Sequence, residues 1–200
     1  MCGRFTQRLS ADAWSRHLGR SVNAAPVSYN VSPTQQVLCF DGEAVETRTW
    51  SFLPRWAKGR DLKPVINARI ETAAEKPFFR QAMRRGRIAM LADGFYEWKK
   101  TPDGQVPHLI SLADGEPFAF AALDDGAGTA ICTCEPNRFV AEIHNRMPVI
   151  LRLEEIDRWL ANADWSPLAD DELTAVAVSQ AVNSPANNRP EVAQPVDADG

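Results

Sequence analysis

The sequence predicts an α+β fold in which antiparallel strands predominate. Short apolar runs are separated by turn signals, of which Asp41-Gly42 and the turn at residues 102–104 are the clearest. Helical spacing is confined to a few short stretches. A chain of 200 residues with 44% apolar content suits one domain with a substantial core. We expect that domain to span residues 1–196, with a short polar tail at residues 197–200.

The first third of the chain predicts one helix followed by a run of strands. Ala11, Trp14 and Leu18 have helical spacing, Ser10 is a suitable N-cap, and Gly19 ends the run. Strands are expected at residues 29–33, 36–40 and 44–50, and the last two form a hairpin.

The same criteria give the remaining elements. Helices are expected at residues 73–84, where Pro77 interrupts the pattern, and at residues 154–161 and 170–175. Strands are expected at residues 88–91 continuing into 94–98, at residues 108–112 and 118–123 of one sheet, and at residues 130–133 and 177–182.

Charge is distributed unevenly along the sequence. The formal net charge is −4, but residues 48–100 carry a net +8 and residues 101–200 a net −12. A basic segment of that size is large enough to form a phosphate-binding face despite the acidic remainder. A solvated surface without a partner accounts for the charge alone equally well.

The cysteines and the apolar runs indicate a reduced, cytoplasmic protein. Cys2, Cys39, Cys132 and Cys134 lack CxxC spacing. A zinc site that combines Cys132, Cys134 and His144 is disfavoured, because CxC is a poor ligand spacing and the stretch has a strand pattern. No cofactor or metal is therefore expected. No run approaches 18 apolar residues and no signal-peptide pattern is visible, so neither a membrane partner nor export is expected.

The N-terminal stretch, residues 1–5, predicts covalent chemistry. Removal of Met1 leaves an α-amine and a thiol on one residue, Cys2, with ordinary pKa values of about 7.7–8.0 and 8.5. Such an aminothiol captures an aldehyde, because the amine forms a Schiff base and the thiolate closes a thiazolidine ring. Gly3 lets the backbone turn, while Arg4 and Phe5 supply a charge and an anchor. An ordinary cysteine at a frayed terminus is the alternative.

Two basic stretches carry side chains suited to nucleic acid. Trp56 stands between Arg55 and Lys58, and an aromatic ring among cations is what base stacking requires. Asn67 both donates and accepts hydrogen bonds, and Arg69 is able to grip a phosphate with two parallel bonds.

Two later stretches carry titratable groups. Glu97 lies between aromatic residues, and an inward orientation would raise its pKa towards that of a proton donor near neutral pH. Strand alternation equally allows a solvent-facing Glu97. His144 stands two residues before Arg146 and close to Pro148, which favours a functional histidine, whereas His17 and His108 are interpreted as structural.

Taken together, these stretches resemble the SOS response-associated peptidase (SRAP) family, whose members shield abasic sites. The matching motifs are residues 1–5, 29–33, 50–56, 67–72, 94–98, 144–148, 178–183 and 194–196. The resemblance implies an α+β fold with antiparallel sheets curled into a barrel-like core and flanking helices. It also implies an exposed N-terminal cysteine that cross-links to abasic sites in single-stranded DNA.

The resemblance also implies a role for each matching residue. Catalytic roles fall to Cys2 as nucleophile, Asn67 orienting the sugar, Glu97 moving protons and His144 assisting. DNA-binding roles fall to Arg4, Arg69 and Arg146 on phosphates and to Trp56 as a stacking wedge. We further expect self-removal of Met1, weak lyase activity, a monomer, and a nucleoid-associated location when the protein is bound to DNA.

Two other functions remain open from the sequence. N-terminal-nucleophile glutamine amidohydrolases also begin Met-Cys-Gly, although they need neither the basic segment nor Glu97 with His144. A nucleic-acid-binding module without chemistry is the third interpretation.

Overall fold

Two antiparallel-rich sheets form the framework of the chain, and the computed structural model describes residues 2–196. The strands are β1 (Phe5–Gln7), β2 (Ser28–Val31), β3 (Gln36–Phe40), β4 (Val45–Thr49), β5 (Asn67–Arg69), β6 (Arg87–Ala92), β7 (Gly94–Thr101), β8 (Gly104–Leu112), β9 (Phe118–Asp124), β10 (Thr129–Cys134), β11 (Met147–Pro148), β12 (Ile150–Leu151) and β13 (Leu173–Ala177). Met1 and the tail expected at residues 197–200 lie outside the described residues.

The first sheet has five strands in the order β13-β8-β7-β1-β2. The second sheet follows the order β11-β10-β9-β6-β3-β4, with β12 beside β9 and β5 beside β10. The β5–β10 pair is parallel and the other strand pairs are antiparallel. The two sheets curl around a common core without closing into a barrel. The predicted α+β class is therefore confirmed.

Short helices flank the sheets. They are α1 (Ala11–Leu18), α2 (Ile70–Ala73), α3 (Arg80–Arg85), α4 (Arg138–Ala141) and α5 (Ile156–Asn162), with 3-10 turns at Arg55–Ala57, Leu153–Glu155, Asp170–Glu172, Gln180–Asn183 and Pro190–Ala193. At α1 the Ser10 side chain accepts from the Ala13 amide, and Gly19 adopts the left-handed conformation, so both predicted ends are confirmed. No helix within residues 2–196 has the length and apolar character needed to cross a membrane.

An aromatic cluster holds the N-terminal strand in the core. The Phe5 ring lies 5.1 Å from Trp50 and 5.4 Å from Phe120, measured between ring centroids, and all three side chains are buried. Edge-to-face pairs of this kind add about 0.5–1.5 kcal/mol beyond the burial of apolar area. Phe5 therefore fixes the position of the residues just before it, including Cys2.

The chain crosses from one sheet to the other at Asp93. The prediction that residues 88–91 continue through 94–98 is wrong, because β6 belongs to the second sheet and β7 to the first. Asp93 accepts hydrogen bonds from Thr6 and from the Arg8 side chain and backbone, which fixes the crossing point. The prediction that residues 108–112 and 118–123 share a sheet is wrong in the same way, since β8 and β9 lie in different sheets.

Three other segments differ from the sequence prediction. The helix expected at residues 73–84 is two helices, α2 and α3, because Pro77 cannot donate the hydrogen bond that a continuous helix needs. Residues 170–175 form a 3-10 turn that leads into strand β13, and residues 177–182 end that strand and enter another 3-10 turn. At these positions, pairing of β13 with β8 outweighs the local helical pattern.

Candidate active site

Cys2 lies where the two sheets meet. The chain from Cys2 enters β1, and the Tyr96 amide of β7 donates to the Arg4 carbonyl at 2.9 Å. From the second sheet, Asn67 at the start of β5 donates through Nδ2 to the Cys2 carbonyl at 2.9 Å. The N-terminal stretch is thus held by β7 at Arg4 and by β5 at Cys2.

The Cys2 thiol is buried, contrary to the expectation of an exposed group with an ordinary pKa. Its exposed fraction is 0%, and burial raises the pKa of the thiol well above the usual range, with a further contribution from the nearby charge of Glu97. In the chain that carries Met1 the Cys2 nitrogen is an amide and bears no positive charge. Removal of Met1 creates an amine whose cationic form, next to the thiol, lowers the pKa of the thiol.

Glu97 faces inward from β7. Its exposed fraction is 3%, and burial raises the pKa of the carboxyl to about 7. Alternation along the strand left both orientations open, and the structure has the buried one. A carboxyl with this pKa is half protonated near neutral pH, which suits a group that donates and then accepts a proton.

His144 meets Glu97 from the loop that follows α4. The His144 amide donates to the Val140 carbonyl at 2.8 Å, and its Nε2 lies 3.9 Å from Glu97 Oε2. The Arg146 amide donates to His144 Nδ1 at 3.1 Å. Nδ1 also lies 3.1 Å from the Arg146 carbonyl oxygen, so Nε2 is the ring nitrogen that faces Glu97. Burial lowers the pKa of His144, so the ring is neutral at pH 7.

An open cleft gives access to this pair. Glu97, Trp98, Lys100 and His144 are among the residues that line it, and its volume is about 520 Å³. Lys100 is exposed at its rim. The cleft therefore presents a buried carboxyl group and an imidazole, with a cation, Lys100, and an anion, Glu142, among its exposed lining residues.

Strand β5 brings Asn67 and Arg69 to one face. Alternate residues of a strand point the same way, so the Arg69 side chain lies on the face from which Asn67 reaches Cys2. Arg69 is exposed and makes no ion pair within residues 2–196. The buried Asn67 Oδ1 atom also lacks a hydrogen-bond partner in the described part of the chain. Both groups are therefore available to a ligand that enters beside Cys2.

Arg4 and Arg146, by contrast, are engaged with the protein. Arg4 donates to the Asn30 side chain at 2.8 Å and to the Val182 carbonyl at 2.6 Å. Arg146 donates to both carboxylate oxygens of Glu71, at 2.7 and 2.9 Å, and to the Thr133 carbonyl at 2.7 Å. Each arginine retains a buried Nε without a hydrogen-bond partner among the described residues. A phosphate would therefore have to share these side chains with their present partners.

Trp56 is an exposed ring in the 3-10 turn Arg55–Ala57. Its exposed fraction is 42%, whereas Trp50 is fully buried. The rings of Trp56 and Phe78 are nearly perpendicular with centroids 6.2 Å apart, and the Arg60 guanidinium lies 5.4 Å from the centroid of the Trp56 ring. The Trp56 ring is thus held in place but remains accessible to solvent.

Comparison with known proteins identifies the family. The family model described as SOS response associated peptidase (SRAP) matches residues 1–185. The chain belongs to the SRAP family. Among curated relatives, the abasic site processing protein YoqW of Bacillus subtilis is 38% identical, with coverage of 82% of this chain and 84% of that protein. The abasic site processing protein YedK of Escherichia coli is 30% identical, with coverage of 98% and 100%.

The fold also matches a solved structure. A crystal structure of a protein from Bacteroides thetaiotaomicron superposes with a TM-score of 0.82 at 22% identity and covers 98% of this chain and 100% of that chain. At this identity the match supports the fold alone.

Three residues of this SRAP chain that contact the site were missed by sequence reasoning. Asn30 accepts from Arg4 and donates to three carbonyl groups of residues 182–187, so it ties the N-terminal strand to the end of the chain. Glu71 holds Arg146, and Lys100 lines the cleft. Only Lys100 had a sequence signal, since it belongs to the basic segment. Asn30 and Glu71 act through contacts with residues more than 20 positions away, which spacing cannot predict.

Proposed function

We propose that this chain binds single-stranded DNA and captures abasic sites as a covalent thiazolidine on Cys2 once Met1 has been removed, thereby shielding the lesion. One observation carries the proposal: residues from distant parts of the sequence come together around Cys2. Asn67 donates to the Cys2 carbonyl, the charge of Glu97 raises the pKa of the Cys2 thiol, and His144 lies 3.9 Å from Glu97. The relatives YoqW and YedK are named abasic site processing proteins, which agrees with this chemistry.

Ring opening is the first step. An abasic site is mostly a closed hemiacetal, so an acid must protonate the ring oxygen before the aldehyde is released. Glu97, with its pKa of about 7, is the proton donor. His144 Nε2 faces the carboxylate that results, and the tautomer that carries its proton on Nε2 donates to that carboxylate and stabilises it. Asn67 orients the sugar with the amide oxygen that has no hydrogen-bond partner in the described chain.

Capture follows in two bond-forming steps. The Cys2 amine attacks the aldehyde carbon and water leaves, which gives an imine. The thiol sulfur then bonds to the imine carbon, and its proton is transferred to the nitrogen with the help of Glu97 or His144. The product is a five-membered thiazolidine, and one water is lost overall.

Ring closure protects the strand. An imine left open favours β-elimination and cleavage of the phosphodiester, whereas a thiazolidine has no C=N bond to drive that reaction. Weak lyase activity and slow reversal are the expected side reactions of the same intermediate.

Self-processing completes the proposed activity. Hydrolysis of the Met1–Cys2 peptide bond consumes one water and releases the amine, and the thiol of Cys2 attacks or assists at that bond. The family description as a peptidase supports this step. Methionine aminopeptidase yields the same product, so the step requires a test with purified protein.

The remaining assignments describe how DNA is held. Arg69 has the strongest support as a phosphate ligand, because it is exposed, shares a face with Asn67 and makes no ion pair within residues 2–196. Arg4 and Arg146 contact phosphates while keeping their protein partners, and Trp56 stacks on a base. Residues 1–196 act as one SRAP domain, a monomer in the cytoplasm that associates with the nucleoid when bound to DNA.

A denaturing gel tests the proposal. Purified wild-type protein incubated with a labelled abasic single strand should give a slower-migrating covalent product. Cys2→Ala should lose the product, whereas the matched thiol control Cys134→Ala should keep it. Absence of the product in the wild type would contradict the proposal. Release of ammonia from glutamine by the wild type would instead support the amidohydrolase alternative.

A further inference from the structure

Three arginines and a tryptophan line a second concave surface. Arg80, Arg84 and Arg85 of α3 and Trp56 border a hollow of about 440 Å³, completed by Pro77 and Gln81. We call this the α3 surface. Within residues 2–196, no acidic residue lines it. It shares no lining residue with the cleft at Glu97 and His144.

The arginines of the α3 surface differ from most other arginines of the chain. Arg80, Arg84 and Arg85 are all exposed and make no ion pair or side-chain hydrogen bond within residues 2–196. In contrast, Arg48 and Arg152 each pair with two or more carboxylates. Residues four apart on a helix are neighbours, so Arg80 and Arg84 repel one another. Such uncompensated charge favours a polyanionic ligand.

Trp56 indicates which polyanion fits. Trp56 has an exposed fraction of 42%, packs perpendicular to the Phe78 ring and lies under the Arg60 guanidinium, so it provides an aromatic platform beside the three cations. Aromatic rings in a basic groove bind unpaired bases, whereas the bases of a duplex are already stacked on each other. The combination therefore favours single-stranded nucleic acid over duplex.

A chain of packed residues joins the α3 surface to the strand that carries Asn67 and Arg69. Phe78 and Phe79, which precede α3, pack against Phe52 at centroid distances of 5.9 and 5.5 Å. Phe52 forms a bridge with Val65, two residues before Asn67. Phe52 thus connects the residues that precede α3 with the segment that leads to Asn67 and Arg69.

From these observations we propose that the α3 surface is a second DNA-binding site, which holds the phosphates of the single strand that flanks the lesion. The inference rests on the proposed function, because that function brings the strand to Asn67 and Arg69. Arg80, Arg84 and Arg85 bind successive phosphates, and Trp56 stacks on a base of the same strand.

The test compares two triple variants of the full chain. The first variant combines Arg80→Gln, Arg84→Gln and Arg85→Gln. It should bind an undamaged single strand of about 20 nucleotides at least tenfold more weakly at low salt. The slope of log K against log salt should fall in magnitude by about 2, because each phosphate contact contributes about 0.7. Fluorescence anisotropy across a salt series measures both. The control variant carries Arg16→Gln, Arg138→Gln and Arg158→Gln, which removes the same charge elsewhere and should lose much less affinity.

A second variant guards against misfolding. Trp56→Ala keeps every charge and should weaken binding of the single strand but not of a blunt duplex. Equal losses in the two triple variants, an unchanged salt slope, or an equal loss for single strand and duplex would overturn the inference. Undamaged DNA has no aldehyde, so these binding measurements do not depend on cross-linking. Failure of the proposed function would be seen separately, as a wild-type protein that does not cross-link abasic DNA.

Discussion

At the scale of single residues, burial rather than residue type sets the chemistry of this site. Glu97 is an ordinary glutamate in the sequence, and only its position between the sheets raises its pKa to about 7. The sequence predicted the aminothiol of Cys2 because that depends on covalent structure alone. It did not predict that the thiol is fully buried, since burial depends on contacts with distant parts of the chain, such as that of Asn67 with Cys2.

The pH dependence of cross-linking follows from two groups. Glu97 must be protonated to open the sugar, which favours pH values below about 7. The Cys2 amine must be neutral to attack, which favours pH values above its ordinary pKa of about 7.7–8.0. The wild-type rate should therefore be bell-shaped, with its maximum between these two values.

Glu97→Gln should remove the high-pH limb of that profile and lower the rate about 100-fold or more, because glutamine cannot donate the proton. Single-turnover cross-linking from pH 5 to pH 9 measures both effects. Glu75→Gln, which removes an exposed carboxyl, is the matched control and should retain the bell shape. A bell-shaped profile in Glu97→Gln would exclude Glu97 as the acid.

At the scale of elements, local signals predicted the strands well and their partners poorly. The end signals of α1 are contained in the sequence around it, and the β3–β4 hairpin is marked by Asp41-Gly42. The crossing at Asp93 depends on hydrogen bonds to Thr6 and Arg8, more than 80 positions away. The same limit applies to the site. The loop that carries His144 is held by Glu71 of α2 through Arg146, and this contact between distant residues has no local sequence signal.

The ion pair between α2 and that loop gives a stability prediction. Glu71 accepts two hydrogen bonds from Arg146, whose side chain is only 15% exposed. Glu71→Gln should therefore lower the free energy of unfolding by about 1 kcal/mol at pH 7, since a partly buried guanidinium loses its counterion.

This difference should disappear in acid. Arg146 lowers the pKa of Glu71, so the stabilisation is present above the unfolded-state pKa of about 4.3 and is lost as the pH falls through the lower folded-state pKa. Urea denaturation of both proteins at pH 7 and near pH 2.5 measures it. An equal difference at the two pH values would show that the pair acts through packing rather than charge.

At the scale of the whole molecule, the basic and the acidic segments of the sequence contribute different elements of the fold. The segment with a net charge of +8 contains β5, α3 and Trp56, whereas the acidic segment contributes β13 and the 3-10 turns that follow it. The sequence predicted this asymmetry directly. It did not predict that the two sheets meet at Cys2, because the sheet order depends on pairings such as β1 with β7 that span 90 residues.

The most direct test of the central claim is the intact mass of the protein after reaction with abasic single-stranded DNA, with and without borohydride. The account predicts a product equal to the chain without Met1 plus the DNA minus one water, with no further gain in mass on reduction because a thiazolidine has no C=N bond. A product that retains Met1, a product that gains hydrogen on reduction, or unmodified protein would contradict it.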